Sequence, residues 1–447
     1  MSSLALLHAS QLVTLAGPKR PRIGAEMSEL ANIRDGGMLI RDGKIDIVGP
    51  SNEIEKKAGD AQVVDAKGRV VLPGFVDAHT HLVFAGNRLD DFERRARGET
   101  YEQIANAGGG IWSTVEKTRA ASDVDLLAQA KRHANWFLKC GTTTVEAKSG
   151  YGLTTEDELK ILGVMRSLND DSKTTKTAIR ESRITTEERV GIGTRQGGAV
   201  ALEIVPTFLG AHAIPKNMSA SEYVDLVINE MLPRVASEKL AEFCDIFCER
   251  DYFDIEQSRK ILTAAKKLGL KLRMHVDQLT NSGGAKLAAQ LGATTADHLE
   301  KTDEQGIAAM KTANVQPVLM PGSVYALGST CYPRAREMIQ AGLAIVLATD
   351  FNPGSSPTPS MPMVLSLAST QMKMSPAETV TASTINAAYS LNRGDKIGSL
   401  EPGKVANFAI FDCEDFRELA YWFGFPQTHA VYVKGEKVVE ALAAASA

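Results

Sequence analysis

Val70-Val71-Leu72-Pro73-Gly74-Phe75-Val76 runs directly into Asp77-Ala78-His79-Thr80-His81. A short apolar run of this kind reads as a buried strand, and a strand sends alternate side chains to one face. His79 and His81, one residue apart, can therefore point together at a single metal ion. Two surface histidines are the plain alternative, and the rest of the chain speaks against it. Leu270-Lys271-Leu272-Arg273-Met274-His275 is a β-like stretch ending in His275, and Leu343-Ala344-Ile345-Val346-Leu347-Ala348-Thr349-Asp350 is an apolar strand ending in Asp350. Four potential ligands, His79, His81, His275 and Asp350, thus stand at the C-terminal ends of three predicted strands. Imidazole nitrogens with one carboxylate suit zinc or iron(II) better than magnesium or calcium.

Working outward, strand-like runs at 71–77, 142–147, 201–207, 243–248, 270–275, 293–297, 314–319 and 344–349 alternate with helical stretches. Eight strands in that rhythm predict an α/β fold, a (β/α)8 barrel over residues 71–394 with its active site at the C-terminal strand ends. Residues 1–70 and 395–447 instead carry short strands and tight turns, such as Arg41-Asp42-Gly43 and Lys434-Gly435-Glu436. They predict one small composite β-sandwich domain built from both chain ends. Residues 172–198 are rich in Thr, Arg, Lys and Gly with little apolar periodicity, and read as a solvated excursion or a lid before the third strand.

Composition narrows the function classes. The formal net charge of -4 over 447 residues and the lack of a basic stripe argue against a nucleic-acid partner. The first residues lack a basic n-region, and no apolar run approaches the roughly 18 residues that span a bilayer, so a cytoplasmic enzyme is expected. The five cysteines are scattered, and Cys244 and Cys248 share one face of a predicted strand, which reads as packing. His8, His133 and His429 fall outside any strand-end cluster. Gly108-Gly109-Gly110 lacks the Lys-Ser/Thr of a phosphate loop and reads as an active-site turn.

Longer motifs carry a resemblance: Pro73 to Gly86, Asn106 to Ile111, Val145-Glu146-Ala147-Lys148-Ser149-Gly150-Tyr151-Gly152, Pro206-Thr207-Phe208-Leu209-Gly210-Ala211-His212, Ala296-Asp297-His298-Leu299-Glu300, and Ala348 to Pro357. With them the chain resembles the imidazolonepropionases, within the metal-dependent amidohydrolase superfamily, over nearly its whole length apart from 172–198. The resemblance implies hydrolysis of the ring C–N bond of 4-imidazolone-5-propanoate to N-formimidoyl-L-glutamate, with a metal-activated water. It implies one zinc or iron ion held by His79, His81, His275 and Asp350, a small substrate bearing a carboxylate, and a homodimer. It places Arg88, Tyr151, His212, Gln278, Asn352, Gly354 and Ser355 on the substrate.

Each role has a chemical reason. Arg88 offers planar bidentate pairing to the propanoate, although in its polar run it would otherwise read as a solvated charge. Asp350, beside the water, can relay a proton to the leaving nitrogen. His212 or His298 can stabilise the developing oxyanion, and His298 can equally stand behind the ligands or pack. Gln278, where some family members carry Glu, cannot act as a base, but its amide can hold the ring. Lys148 reads as structural or substrate-orienting, in preference to a carboxylated bridge between two metals. Three other functions compete: a deaminase of a nucleobase-like heterocycle, which would release ammonia; a binuclear dipeptidase or lactonase, which metal stoichiometry would reveal; and a silent scaffold, which would have lost ligands.

Overall fold

Thr142-Thr143-Thr144-Val145-Glu146-Ala147-Lys148 is β-branched at four of seven positions and buried throughout, the signature of a parallel strand covered on both faces. In the computed structural model, which describes residues 3–100, 103–104, 107–170 and 201–440, it is one stave of a parallel barrel. The excursion at 172–198 lies outside the described residues. The staves are β6 (Phe75–Asp77), β7 (Thr142–Lys148), β8 (Glu203–Ala211), β9 (Phe243–Cys248), β10 (Lys271–Leu272) continued by β11 (His275–Val276), β12 (Thr295–His298), β13 (Gln316–Leu319) and β14 (Val346–Leu347). The seam between first and last stave closes past the strand ends. His81 N–H donates to the Phe351 carbonyl (2.8 Å), Asp350 N–H to that of His79 (3.1 Å), and Thr349 donates its amide and hydroxyl to Asp77.

The run 71–77 does not form one strand, as its apolarity predicts. Val70–Pro73 is β5, paired with β1 (Ser3–Val13) and β15 (Phe408–Phe411) in a second sheet, and only Phe75–Asp77 enters the barrel. The break falls at Gly74, where a Cβ would overlap the Thr143 side chain. The second sheet runs β17 (Glu436–Glu440), β16 (Thr428–Val433), β15, β5, β1, β2 (Asn32–Arg41), β3 (Lys44–Pro50), with β4 (Gln62–Asp65) also paired to β1. It draws strands from both chain ends. A bridge between Lys44 and Val405 brings its far edge back towards the segment leading into β15, around a core of Leu6, Leu12, Ile40, Phe408 and Tyr432.

Inside the barrel, period-two alternation sorts the side chains. Cys244 and Cys248 of β9 pack outward against the surrounding helices with Ile246, as free thiols. Phe243 joins Val76, Val205, Val318 and Val346 in an apolar plug. Helices such as Asp123–Lys139, Thr155–Asn169 and Ile255–Lys267 cover the outside; Ser122, Thr154 and Asp254 cap their first turns, each cap contributing about 1 kcal/mol. No helix among the described residues is long and apolar enough to cross a membrane.

Candidate active site

Beyond the C-terminal ends of the staves the backbone is forced into unusual shapes. Asp350, His298 and Leu299 have φ of +54°, +81° and +71°, a left-handed region that costs a non-glycine residue about 1–3 kcal/mol. Such strain persists where the surroundings hold it, and here it turns side chains towards the barrel axis.

His79 and His81 follow β6, His275 opens β11, His298 ends β12 and Asp350 follows β14. Asp350 Oδ1 lies 3.6 Å from His79 Nε2 and 3.7 Å from His81 Nε2, and the His79 and His275 ring centres are 4.4 Å apart. Two groups have ligand atoms mutually within 4.8 Å: His79, His81 and Asp350, and His79, His275 and His298. The two groups share His79, and His298 joins it with His275 in the second. The Nε2 atoms of His79 and His275 are buried with no hydrogen-bond partner. Orphaned imidazole nitrogens clustered with a carboxylate fit a divalent cation of borderline softness.

The electrostatics agree. Burial, then Lys148 and neighbouring histidines, hold His79 well below the ordinary imidazole range, and burial with His212 and His275 does the same to His81, so both are the neutral bases a metal requires. His212, stacked on His81, is pushed down to about 3 by burial and by His275. Its Nδ1 lies 3.0 Å from the Gly150 carbonyl, which only accepts, so the neutral ring carries its proton on Nδ1 and turns a bare Nε2 away from that carbonyl. His298 goes the other way: burial opposes its charge, but Glu300, with Asp350 and Asp297, outweighs burial and raises it. Burial raises Asp350, partly offset by His298 and His275.

A cavity of about 300 Å³ opens over this cluster. Arg88, Tyr151, His212, Gln278, Asn352, Gly354 and Ser355 all line it together with His81, His275, His298 and Asp350. Arg88 Nε donates to Thr114 Oγ1 at 2.7 Å, and a Cβ at Gly354 would overlap the guanidinium. The Asn352 side chain is spent within its turn: Oδ1 accepts from the amides of Gly354 and Ser355, and Nδ2 donates to the Asp350 carbonyl and Ser355 Oγ. It builds the loop that presents Gly354 and Ser355.

Several residues were not singled out from sequence. Thr114 orients Arg88 across 26 positions. Glu158 gathers the amides of Gly150, Gly152 and Leu153, shaping the loop of Tyr151, and Glu249 does the same for Leu279 and Thr280 beside Gln278. Arg95, Phe247 and Tyr252 also line the cavity. The available signal was a polar residue at an inward position of a wholly buried strand, as at Glu146, Asp245 and Asp297.

The sequence matches the family model described as Amidohydrolase family over residues 70–438. It is 57% identical over 441 residues, 98% of this chain and 99% of the relative, to the imidazolonepropionase of Solibacter usitatus (strain Ellin6076). To that of Brevibacillus brevis it is 44% identical, covering 97% of each chain. The chain belongs to the imidazolonepropionase family of amidohydrolases. That superfamily comprises metal-dependent hydrolases of C–N bonds, in keeping with the histidine-rich candidate metal site. Solved structures share the fold alone. An adenosine deaminase from Xanthomonas campestris with bound zinc superposes with TM-score 0.69 at 18% identity, covering 98% of this chain and 93% of that one. E. coli guanine deaminase gives 0.67 at 16%, covering 99% and 100%.

Under the histidines this imidazolonepropionase-family barrel carries a charged tier. Lys148 Nζ donates to Glu146 Oε1 (2.8 Å) and Asp245 Oδ2 (2.7 Å), and Arg273 lies beside Glu146 and Asp297 (3.8 and 3.5 Å). Burial works against the Lys148 charge, but Asp245 and Glu146, with Asp297, outweigh it and raise the ammonium above its ordinary range. A lysine so engaged is not a free amine for carboxylation.

Proposed function

We propose that the chain hydrolyses 4-imidazolone-5-propanoate to N-formimidoyl-L-glutamate. One water is consumed: its oxygen joins the ring carbonyl carbon, the ring C–N bond breaks, and the leaving nitrogen takes a proton. The observation that carries this reading is a single small cavity with neutral histidines and a carboxylate at its floor and the Arg88 guanidinium on its wall, in a chain of this family.

His79, His81, His275 and Asp350 would hold one zinc or iron(II) ion. When bound, such an ion polarises a carbonyl and brings the pKa of a water to about 7. Arg88, braced by Thr114, pairs with the propanoate and fixes which way the ring faces. Tyr151 adds a hydroxyl donor, and Gln278 holds the ring through its amide. Asp350, whose proton affinity burial raises, takes the water's proton on its carboxylate and passes it to the departing ring nitrogen. Of the two candidate oxyanion donors, His298 fits better. His212 is neutral with Nδ1–H committed to Gly150, so its Nε2 accepts from a ring N–H, whereas Glu300 favours the protonated, donating His298. In this reading the enzyme works in the cytoplasm as a homodimer, without nucleic-acid or membrane partners; light scattering of the purified protein checks the dimer.

The test follows substrate absorbance and ammonia together after adding metal-replete enzyme. Loss of absorbance without ammonia supports ring opening. Ammonia release would move the reaction to a deaminase, and no loss of absorbance would reject the substrate.

A further inference from the structure

Strands β7, β9 and β12 each place an acidic residue inside the barrel, directly beneath the histidines. Each is fully buried: Glu146, Asp245 and Asp297. Buried carboxylates without counterions are strongly destabilising, so something must match them. Lys148 and Arg273 do, both buried from solvent. Lys148 Nζ donates to Glu146 Oε1 at 2.8 Å and to Asp245 Oδ2 at 2.7 Å, and its charge lies 3.8 Å from Asp297 Oδ2, beside the Arg273 guanidinium at 3.5 Å.

The same oxygens face upward. Asp297 Oδ2 accepts the Nδ1–H of His79 at 2.7 Å. Asp245 Oδ2 lies 3.1 Å from Nδ1 of His275, and its Oδ1 accepts the His275 backbone amide at 3.2 Å. His79 and His275 are the two whose Nε2 atoms lack a hydrogen-bond partner; Nδ1 is hydrogen-bonded to a carboxylate at His79, and at His275 it stands 3.1 Å from Asp245 Oδ2 without hydrogen-bond geometry. A carboxylate at Nδ1 selects the tautomer with its proton there, freeing Nε2 as a lone pair, and it makes the ring a stronger ligand.

We propose that Lys148 is a positioning residue for the metal centre, its ammonium fixing Asp245 and Asp297 as the oxygens that set the Nδ1–H tautomer of His275 and His79. This rests on the reading of those histidines as metal ligands. It gives the charged tier a purpose that stability does not, since an ion cluster of this depth is at best neutral against well-packed apolar residues.

The test uses the full chain as wild type, as Asp297→Asn, and as Lys148→Met combined with Glu146→Gln. The double variant removes one cation and one anion, so the tier keeps its net charge. Two quantities are read after circular dichroism establishes folding: zinc affinity against a chromophoric chelator, and the imidazole tautomers of the metal-free protein from long-range ¹H–¹⁵N correlation spectra. Wild type is expected to bind zinc and to show His79 and His275 as single Nδ1–H tautomers. The double variant is expected to lose that selection at both rings and to bind zinc about 10- to 100-fold more weakly. Asp297→Asn, which keeps volume and both cations, is expected to do so at His79 alone. Wild-type zinc affinity and unchanged tautomers in a folded double variant would overturn the proposal. If the double variant does not fold, the same result in Asp297→Asn would overturn it. A wild type that binds no zinc would instead overturn the ligand assignment itself, and this inference with it.

Discussion

Phe243 and Asp245 stand two positions apart on β9 and face the same barrel interior, yet Phe243 packs among Val76, Val205, Val318 and Val346 while Asp245 meets Lys148 and His275. The lower half of the interior is an apolar plug. The upper half is a tier of buried ions, then histidines, then strained backbone at His298 and Asp350. Transfer of apolar surface stabilises the first region, whereas desolvating charge and holding left-handed backbone both work against stability in the second. A chain keeps such features together where they orient reacting groups, and the comparison therefore separates what holds this barrel together from what it does.

Breaking the upper half should have the largest effect. Asp350→Ala is expected to lower kcat by about 10³-fold, the scale of a lost proton relay, while the protein stays folded; single-turnover rates together with circular dichroism check this. Ordinary turnover in that variant would remove Asp350 from the mechanism.

His133 separates burial from catalysis. It lies outside the candidate ligand cluster, packed on Phe84 with Nδ1–H donated to the Leu82 carbonyl at 2.9 Å, and burial pushes it down to about 4. The unfolded chain takes up this proton near pH 6.5 and the folded chain only near 4. The stabilisation is therefore fully present above pH 6.5 and is lost as pH falls towards 4, by up to about 3 kcal/mol. Denaturation midpoints across that window should show the slope, and His133→Gln should lessen it by this one group's share, leaving that of the other depressed histidines.

Arg88→Ala should raise KM by about 10- to 100-fold, in keeping with the loss of a charge-assisted pair, and leave kcat closer to wild type. Gly354→Ala should reproduce part of that rise, because its methyl group would overlap the guanidinium. An unchanged KM in both would free the propanoate from this corner of the cavity.

The smallest effect belongs to the lower half. Val318→Ala should cost about 1–2 kcal/mol of stability by denaturation with kcat/KM preserved, since its methyl groups pack only in the plug. A fall in activity larger than the fall in stability would mean that the two halves are mechanically coupled.

Much of this was legible in the chain. His79-Thr80-His81, His275 and Asp350 stand at strand ends because apolar runs delimit the strands before them, and a parallel barrel brings such ends to one face. The run 71–77 was misleading because periodicity does not say which sheet a strand joins; Pro73-Gly74 marks the change, and only the contact with Thr143 makes it necessary. Pairings such as Arg88 with Thr114, or Glu158 with the Tyr151 loop, depend on how far a helix or turn carries a side chain in space, which spacing does not encode. The charged tier lay between the two cases. Glu146, Lys148, Asp245 and Asp297 occupy inward positions of buried strands, so alternation marks them as unusual, but their pairing needs the closed barrel.

The central claim is that this chain opens an imidazolone ring with one activated water. Product mass after turnover of 4-imidazolone-5-propanoate in ¹⁸O-water tests it most directly. The expected result is N-formimidoyl-L-glutamate with one ¹⁸O in its new carboxylate and no free ammonia. Unlabelled product, or a labelled product accompanied by ammonia, would contradict it.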